Sequence, residues 1–368
     1  MKKLLIFHQA LAPYRVDFFN RMSEYFNTEL VLLDTNLVNQ KFNHEALIVR
    51  LKCAVSYLCG GFRWKDRYFR VGAYRKIIKA KPDVILCYEY SFVTISVLLY
   101  KFLFNRKFKL YTMTDDNLSQ FYNRKGVKAF LRWMFVRILD GVIVTNEDTK
   151  RAYEMVTPKK CNIKYCVMPI LHDEDMIRTN ADLIVSAGLN WRNLYLSRYD
   201  KVVLYVGRLD DVKNVKWMVH QFQKIKNVAL VVVGDGPLGD ELKRTVTDFK
   251  LNNVVLVGRK EGREVYEMMS MADALVLASV FEPYGAVVGE ALHWGTPCVV
   301  SDNVGAKSLI VNDRQGRIFR TGDSVDFEKK LFSVLSLTVN HGKSLVIGNM
   351  DEIVCQLCML MGANCRKS

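Results

Sequence analysis

The chain has 368 residues, 50% of them hydrophobic and 25% charged, with nine cysteines scattered along it. This composition excludes a disordered chain, a fibrous repeat and a small disulfide-stapled scaffold, and the length suits two domains with separate cores. The formal net charge of +15 is lopsided: residues 1–178 hold 30 Lys+Arg against 17 Asp+Glu, and residues 181–368 hold 23 against 21. Such asymmetry points to an anionic partner for the first half, whether nucleic acid, a membrane surface or phosphorylated substrates.

Lys2-Lys3 open the chain, but the apolar run behind them, Leu4–Phe7, is shorter than the roughly 7–15 residues of a secretory signal. Together with an odd cysteine number, this fits a reducing cytosol. In the first half, strands are expected at 3–8, 29–33, 83–88, 108–112, 141–145 and 163–168. Helical patterns lie between them, as at 16–25 and 128–139. The longest apolar run, Phe92–Phe104, is broken by Lys101 and falls short of the roughly 18–20 residues of a membrane span.

Asn190–Asp200 has few periodic apolar residues and reads as a linker. Beyond it the pattern restarts, with strands expected at 202–206, 229–233, 254–257, 274–277, 298–300 and 317–319 and helices at 215–224 and 239–249. Strand–helix alternation of this kind makes parallel sheets covered on both faces. The expected architecture is therefore α/β, with doubly wound Rossmann-like domains at 1–190 and 200–345 and a helical tail over 346–368. Cys355 and Cys358 form a C-x-x-C inside that apolar tail helix, where packing outweighs redox or zinc chemistry.

Doubly wound sheets bind ligands beyond the carboxyl ends of their strands, where helix N-termini offer free N–H groups. Four segments of the second half have that form. In Tyr205-Val206-Gly207-Arg208-Leu209, followed by Lys213, a glycine ends a strand and two cations follow five residues apart. Arg208 and Lys213 suit a diphosphate, or are two solvated surface cations. Val233-Gly234-Asp235-Gly236-Pro237 reads as a tight turn or a shortened phosphate loop. Gly258-Arg259 ends a third strand, where a base can approach the backbone and a guanidinium can stack on it. Glu282-Pro283-Tyr284-Gly285-Ala286-Val287-Val288-Gly289-Glu290 sets two carboxylates eight residues apart across a loop-to-helix junction. That junction suits a sugar phosphate, with charge on the helix end and hydroxyls on the glutamates, or is a capped helix with a surface Glu.

In this order, through VFEPYGAVVGEALHWGTPCVVSDNVGAKSLIV, these segments resemble glycosyltransferase family 4, the retaining group 1 glycosyl transferases of the GT-B fold. The resemblance covers nearly the whole second half. It implies two Rossmann-like domains facing each other across a cleft. It assigns Arg208 and Lys213 to the nucleotide diphosphate, Glu290 to the ribose, Glu282 to the donor-sugar hydroxyls, and the Gly285–Val287 N–H groups to sugar and phosphate. Gly207, Gly234, Gly258 and Tyr284 shape that donor site, and Arg259 lies beside the base. The implied reaction moves a sugar from a UDP- or GDP-linked donor to a glycan or lipid-linked acceptor with retention of configuration. Arg208, Lys213 and the helix end stabilise the leaving group, so no metal or other cofactor is implied. Cell-surface polysaccharide or lipopolysaccharide biosynthesis is the implied setting.

The first half resembles the family less. Pro13, Tyr14 and Arg15 follow strand one like an acceptor-side loop. The family often has a His after the strand at 108–112, where this chain has Thr114-Asp115-Asp116-Asn117. Asp115 or Asp116 is the candidate to orient the acceptor, against a polar loop cap. The usual Asn-Gly before the linker is replaced by Ile170-Leu171-His172. Asp173-Glu174-Asp175 is a literal Asp-x-Asp but reads as a helix start favoured by the dipole rather than a metal site.

Residues 62–81 and 125–137 interleave cations with aromatics, as a basic helix at an anionic interface does. The expectation is a cytoplasmic protein, peripheral on the inner face of the cytoplasmic membrane, rather than a solvated basic face. A nucleic-acid binder would explain the charge but not the paired glutamates. A sugar-nucleotide epimerase shares the architecture, and a non-catalytic scaffold would keep the fold without binding the donor.

Overall fold

The computed structural model describes residues 1–36, 42–64, 67–104, 107–116, 118–123, 125–170, 180–348 and 350–363. Asn117, Leu171, His172 and the Asp173-Glu174-Asp175 motif lie outside them. The chain divides into two compact units, 1–170 with 348–368, and 171–347.

The strands of the first unit are β1 (Lys3–His8), β2 (Asn27–Leu32), β3 (Ala54–Tyr57), β4 (Gly61–Trp64), β5 (Arg67–Arg70), β6 (Val84–Tyr88), β7 (Lys109–Met113), β8 (Gly141–Val144) and β9 (Lys164–Val167). Seven form a parallel sheet in the order β3-β2-β1-β6-β7-β8-β9, while β4 and β5 make a separate antiparallel hairpin. The helices are α1 (Pro13–Tyr25), α2 (His44–Val49), α3 (Ala73–Ala80), α4 (Phe92–Leu103), α5 (Leu118–Asn123), α6 (Val127–Phe135) and α7 (Glu147–Val156). Local chemistry sets their starts. Pro13 occupies the first turn of α1, where a missing N–H costs nothing. Asn146 accepts from the Thr149 N–H to cap α7, and Ser91 from the Thr94 N–H to cap α4.

In the second unit α8 (Ala181–Leu196) precedes β10 (Lys201–Val206), α9 (Val215–Gln221), β11 (Val228–Val233), α10 (Gly239–Asp248), β12 (Val254–Gly258), α11 (Arg263–Met271), β13 (Ala274–Leu277), α12 (Ala286–His293), β14 (Cys298–Ser301), β15 (Gly316–Phe319) and α13 (Ser324–Leu335). The sheet is parallel, ordered β12-β11-β10-β13-β14-β15. β11 reads VALVVV and every residue of it is buried, as a central parallel strand covered on both faces must be. All six strands expected here are present within one or two residues.

Three features depart from the sequence reading. Residues 190–196, read as linker, are the end of α8, which packs on α11: a Cβ at Gly188 would collide with the Glu267 carbonyl, so glycine lets the two helices close. The tail helix α14 (Met350–Met361) belongs to the first unit. It lies against α1, with Cys358 Sγ 3.3 Å from Met22 Sδ and Arg21 Nε 2.9 Å from Asp351 Oδ1. Cys358 is buried in that contact, which is the packing role. The short edge strand β3 and the β4–β5 hairpin have too little apolar periodicity to be seen in the sequence.

Candidate functional site

Each parallel sheet has one place where the chain reverses its direction of winding, and there the loops part to leave a crevice. In the second sheet that place lies between β10 and β13.

Past β10, Gly207 donates its N–H to the Val233 carbonyl at 3.0 Å and Leu209 to the Asp235 carbonyl at 2.9 Å. The Gly207 and Gly234 loops are thus stitched side by side. Gly234 has φ +146°, and a Cβ there would overlap the Gly207 carbonyl. The Gly234 N–H in turn donates to the Gly258 carbonyl at 2.9 Å. Gly207, Gly234 and Gly258, three glycines from three distant segments, stand at neighbouring strand ends. Gly234-Asp235-Gly236 is chiefly this backbone seam, the turn alternative of the sequence reading.

The Tyr205 hydroxyl donates to the Arg208 carbonyl at 2.8 Å, fixing the turn while the Arg208 side chain stays about half exposed. Asp210 accepts from the Lys213 N–H at 3.1 Å and caps a single 3-10 turn, Asp211–Lys213. The Val280 N–H donates to the Val212 carbonyl at 2.9 Å, tying that turn to the loop beyond β13. This brings the Lys213 ammonium onto the Glu282 carboxylate, which accepts its hydrogen bond.

Glu282 is buried, and its loop is held from below. It bridges in parallel register to Val304, and the Gly305 N–H donates to the Glu282 carbonyl at 3.1 Å. A Cβ at Gly305 would collide with the Pro283 carbonyl. Tyr284 is buried, and its carbonyl accepts from Ala306 at 2.6 Å. Gly285, at φ +92°, turns the chain into α12 with no side chain capping the helix start. The N–H groups of Ala286 and Val287 therefore lie in a first turn that has no helical acceptor for them. Glu290 follows one turn later, partly exposed.

The structure thus gathers Gly207, Arg208, Lys213, Glu282, Gly285, Ala286, Val287 and Glu290 at one carboxyl edge. Arg259 stands farther out, exposed beyond the edge strand β12, and pairs with Glu261. The sequence reading missed Asp210 and the Val304-Gly305 turn. The signals were present: an Asp three residues before Lys213, and a Gly after the strand that follows α12.

The first sheet reverses between β1 and β6. At their ends His8 and Tyr88 lie with ring centroids 4.5 Å apart. Arg15, on the first turn of α1, is 2% exposed; its Nη2 is 2.5 Å from Asp115 Oδ1 and its Nη1 3.3 Å from Met113 Sδ. The Tyr88 hydroxyl donates to Asp115 Oδ2 at 3.1 Å. Burial and the Asp115 carboxylate push the Tyr88 phenol well above its ordinary value. Burial, then the Arg15 cation, depresses His8 to about 4. Its Nδ1 lies 2.8 Å from the Ala10 carbonyl, so the neutral ring carries its proton there. Pro13 starts α1, and the Tyr14 ring lies under the Arg15 guanidinium at 5.5 Å. Asp116 is buried and turned away, its carbonyl accepting from Thr149 Oγ1 at 3.1 Å and its carboxylate from the Tyr153 hydroxyl at 3.5 Å. That is the loop-cap alternative. Among the described residues no group of three or more His, Cys, Asp or Glu side chains is placed to hold a metal ion.

Residues 193–345 match the family model of the glycosyl transferases group 1. An uncharacterised glycosyltransferase of Methanocaldococcus jannaschii is 32% identical over 129 residues, covering 34% of this chain and 33% of that protein. The N-acetylgalactosamine-N,N'-diacetylbacillosaminyl-diphospho-undecaprenol 4-alpha-N-acetylgalactosaminyltransferase of Campylobacter jejuni is 28% identical over 190 residues, 51% of this chain and 47% of that protein. The chain thus spans less than half the length of either relative. Among solved structures, Anabaena Alr3699/HepE in complex with UDP superposes with a TM-score of 0.70 at 16% identity, over 97% of this chain and 94% of that one. That likeness is one of fold: two Rossmann-like units, the GT-B architecture. Over residues 193–345, most of the second unit, the chain is thus similar to the group 1 glycosyl transferases.

Proposed function

We propose that the chain is a retaining, metal-independent glycosyltransferase that moves a sugar from a nucleotide diphosphate donor to a glycan or lipid-linked acceptor. The observation that carries this reading is the Lys213–Glu282 pair, set at the reversal point of the second sheet beside the open N-terminus of α12. An ammonium has three donors, so one can hold Glu282 while others reach a diphosphate oxygen. Arg208 supplies a second, bidentate cation. The first-turn N–H groups of α12 add a fixed positive end. Glu282 accepts from the donor-sugar hydroxyls and Glu290 from the ribose.

In the reaction the bond from the anomeric carbon to the diphosphate oxygen breaks, and its electron pair leaves with the diphosphate. Arg208, Lys213 and the helix end stabilise the charge that develops there. The acceptor oxygen bonds to the anomeric carbon on the face the diphosphate leaves, and its proton passes to the departing phosphate oxygen. Configuration is retained, and the fixed cations take the part a divalent metal would play. Asp115, locked by Arg15 and Tyr88, is the proposed acceptor-orienting group. The Campylobacter jejuni relative, whose name specifies a diphospho-undecaprenol acceptor, supports a lipid-linked acceptor here; cell-surface glycan assembly at the inner face of the cytoplasmic membrane is the setting proposed with it.

A thermal-shift comparison of UDP, GDP, ADP and their sugar conjugates, with and without EDTA, tests this. Saturation a hundredfold above the dissociation constant stabilises the fold by about 2.7 kcal/mol. A shift with one base, unchanged by EDTA and lost in Arg208→Ala and Glu290→Ala, is expected. A folded protein that shifts with none of them would be a scaffold that keeps the fold without the donor site.

A further inference from the structure

Helix α4 is apolar on two faces. Val93, Val97, Leu98 and Tyr100 pack into the core of the first unit. On the opposite side Phe92, Leu99, Phe102 and Leu103 are exposed, Phe102 by 82% and Leu103 by 71%, and Phe104 just beyond the helix by 60%. At 100° per residue Phe92, Leu99, Phe102 and Leu103 fall within about a third of the helix circumference. Scattered exposed leucines need no explanation; an aligned aromatic and aliphatic stripe does.

The stripe has aromatic neighbours on one side and basic ones on the other. Phe69 of the β4–β5 hairpin lies 5.5 Å from the Phe92 ring, and exposed Phe62 stacks on Phe69 at 5.2 Å. Trp64 stands exposed beside them on β4. On the other side, a pocket lined by Ile78, Lys81, Tyr100, Lys107 and Phe108 joins the end of α3 to α4. Arg75 and Lys79 of α3 are exposed. From Cys59 to Lys81 the sequence holds eight Lys or Arg and one acid, Asp66. In the second basic stretch both arginines lie over the protein's own rings, Arg132 over Phe121 at 3.9 Å and Arg137 over Trp133 at 4.1 Å; in the first, Arg75 lies over Tyr74 at 5.7 Å while staying exposed beside Lys79.

We infer that the face formed by α3, the outer side of α4 and the β4–β5 hairpin docks on an anionic lipid bilayer, with Leu99, Phe102, Leu103 and Phe104 entering the acyl boundary and the α3 cations on the headgroups. Charge chooses this occupant: a second copy would set two strongly basic faces against each other, whereas an anionic surface neutralises them. At twelve residues α4 is about 18 Å long, too short to span a bilayer and suited to lying in its interface. Among the described residues no helix is long and apolar enough to cross a membrane. The inference deepens the lipid-linked reading above and rests on it only for the leaflet and for the purpose of the docking.

Co-sedimentation of the full chain with vesicles of phosphatidylglycerol and phosphatidylethanolamine, against pure phosphatidylcholine, tests it at low and high salt. Binding to the anionic vesicles alone, reversed by salt, is expected. Arg75→Glu with Lys79→Glu should weaken it about fivefold for each cation removed. The combined Leu99→Ser, Phe102→Ser, Leu103→Ser variant should weaken it about tenfold or more. Equal binding to neutral vesicles, no binding, or binding untouched by both variants would overturn the inference. So would a self-association that the serine variant abolishes while vesicle binding persists. The thermal shift with UDP or GDP, measured on the same proteins, should be unchanged by these substitutions. Its absence in the wild type would count against the donor site and leave the docking result standing on its own.

Discussion

The two sheets meet the same topological requirement with different materials. At the reversal point of the second sheet, the loops are laid down by main chain: Gly207, Gly234 and Gly258 in a row, and Gly305 under the glutamate loop. The pair Lys213–Glu282 adds a side-chain bond across the gap. At the reversal point of the first sheet, the corresponding space is filled by side chains. Arg15, Asp115, Tyr88 and His8 hold one another inside the fold. The backbone-built edge uses the N–H groups of Gly207 and Gly234 within its own seam and leaves the half-exposed Arg208 side chain and the first turn of α12 at its rim. A side-chain-built edge spends its polar groups on itself and leaves one partly open carboxylate. On the proposed reading, the second sheet holds the anion and the first orients the acceptor hydroxyl.

The sharpest way to break this contrast is Arg15→Ala. It would strand Asp115 beside a cavity, and removing one partner of a buried pair costs about 3–5 kcal/mol. A urea unfolding midpoint close to the wild type would show that the cluster is not the internal lock described. Next in size is Lys213→Ala. If the charge on the leaving diphosphate is met there, turnover should fall about 10²–10³-fold. A loss confined to KM would place Lys213 in ground-state binding instead.

The third is a pH effect confined to the first unit. His8 titrates near 4 in the folded chain against 6.5 when unfolded, so the unfolded state binds the extra proton first on acidification. Stability should therefore fall as the pH drops from 6.5 towards 4, by a total of the order of 3 kcal/mol. It should level off below 4 as far as this group is concerned. His8→Phe should flatten that slope relative to wild type; a slope the same in both proteins would remove His8 as its source. The smallest effect is expected from Arg259→Ala, whose exposed pairing with Glu261 is worth about 1 kcal/mol or less. A large loss of nucleotide binding in that variant would draw the base to the β12 edge, farther out than the seam of glycines suggests.

The second unit was legible almost in full. Its six strands are short, apolar and bounded by turn residues, and the glycines that make the site sit directly after strands in sequence. Strand ends and the loops that follow them are local features, so the motif and the place coincide. In the first unit the edge strand β3 and the β4–β5 hairpin were not read, because short, half-exposed strands carry little hydrophobic periodicity. Residues 190–196 looked like a linker because α8 buries few positions, Ile184, Gly188 and Leu196, and meets α11 through the small Gly188 rather than through a regular apolar stripe.

What the sequence determined by itself was the fold class, the order of strands in the second unit and the run of glycines at its carboxyl edge, because backbone geometry imposes glycine, capping and alternation on nearby residues. What only the tertiary structure decided was which distant side chains meet. Arg15 finds Asp115 one hundred residues away, Lys213 finds Glu282 across 69, and the tail helix returns to α1 across more than three hundred. It also parted two neighbours that the sequence left equal: Asp115 is held at the reversal point and Asp116 turns inward to Thr149 and Tyr153. Such contacts are set by packing between elements, and no spacing along the chain encodes a distance across a sheet.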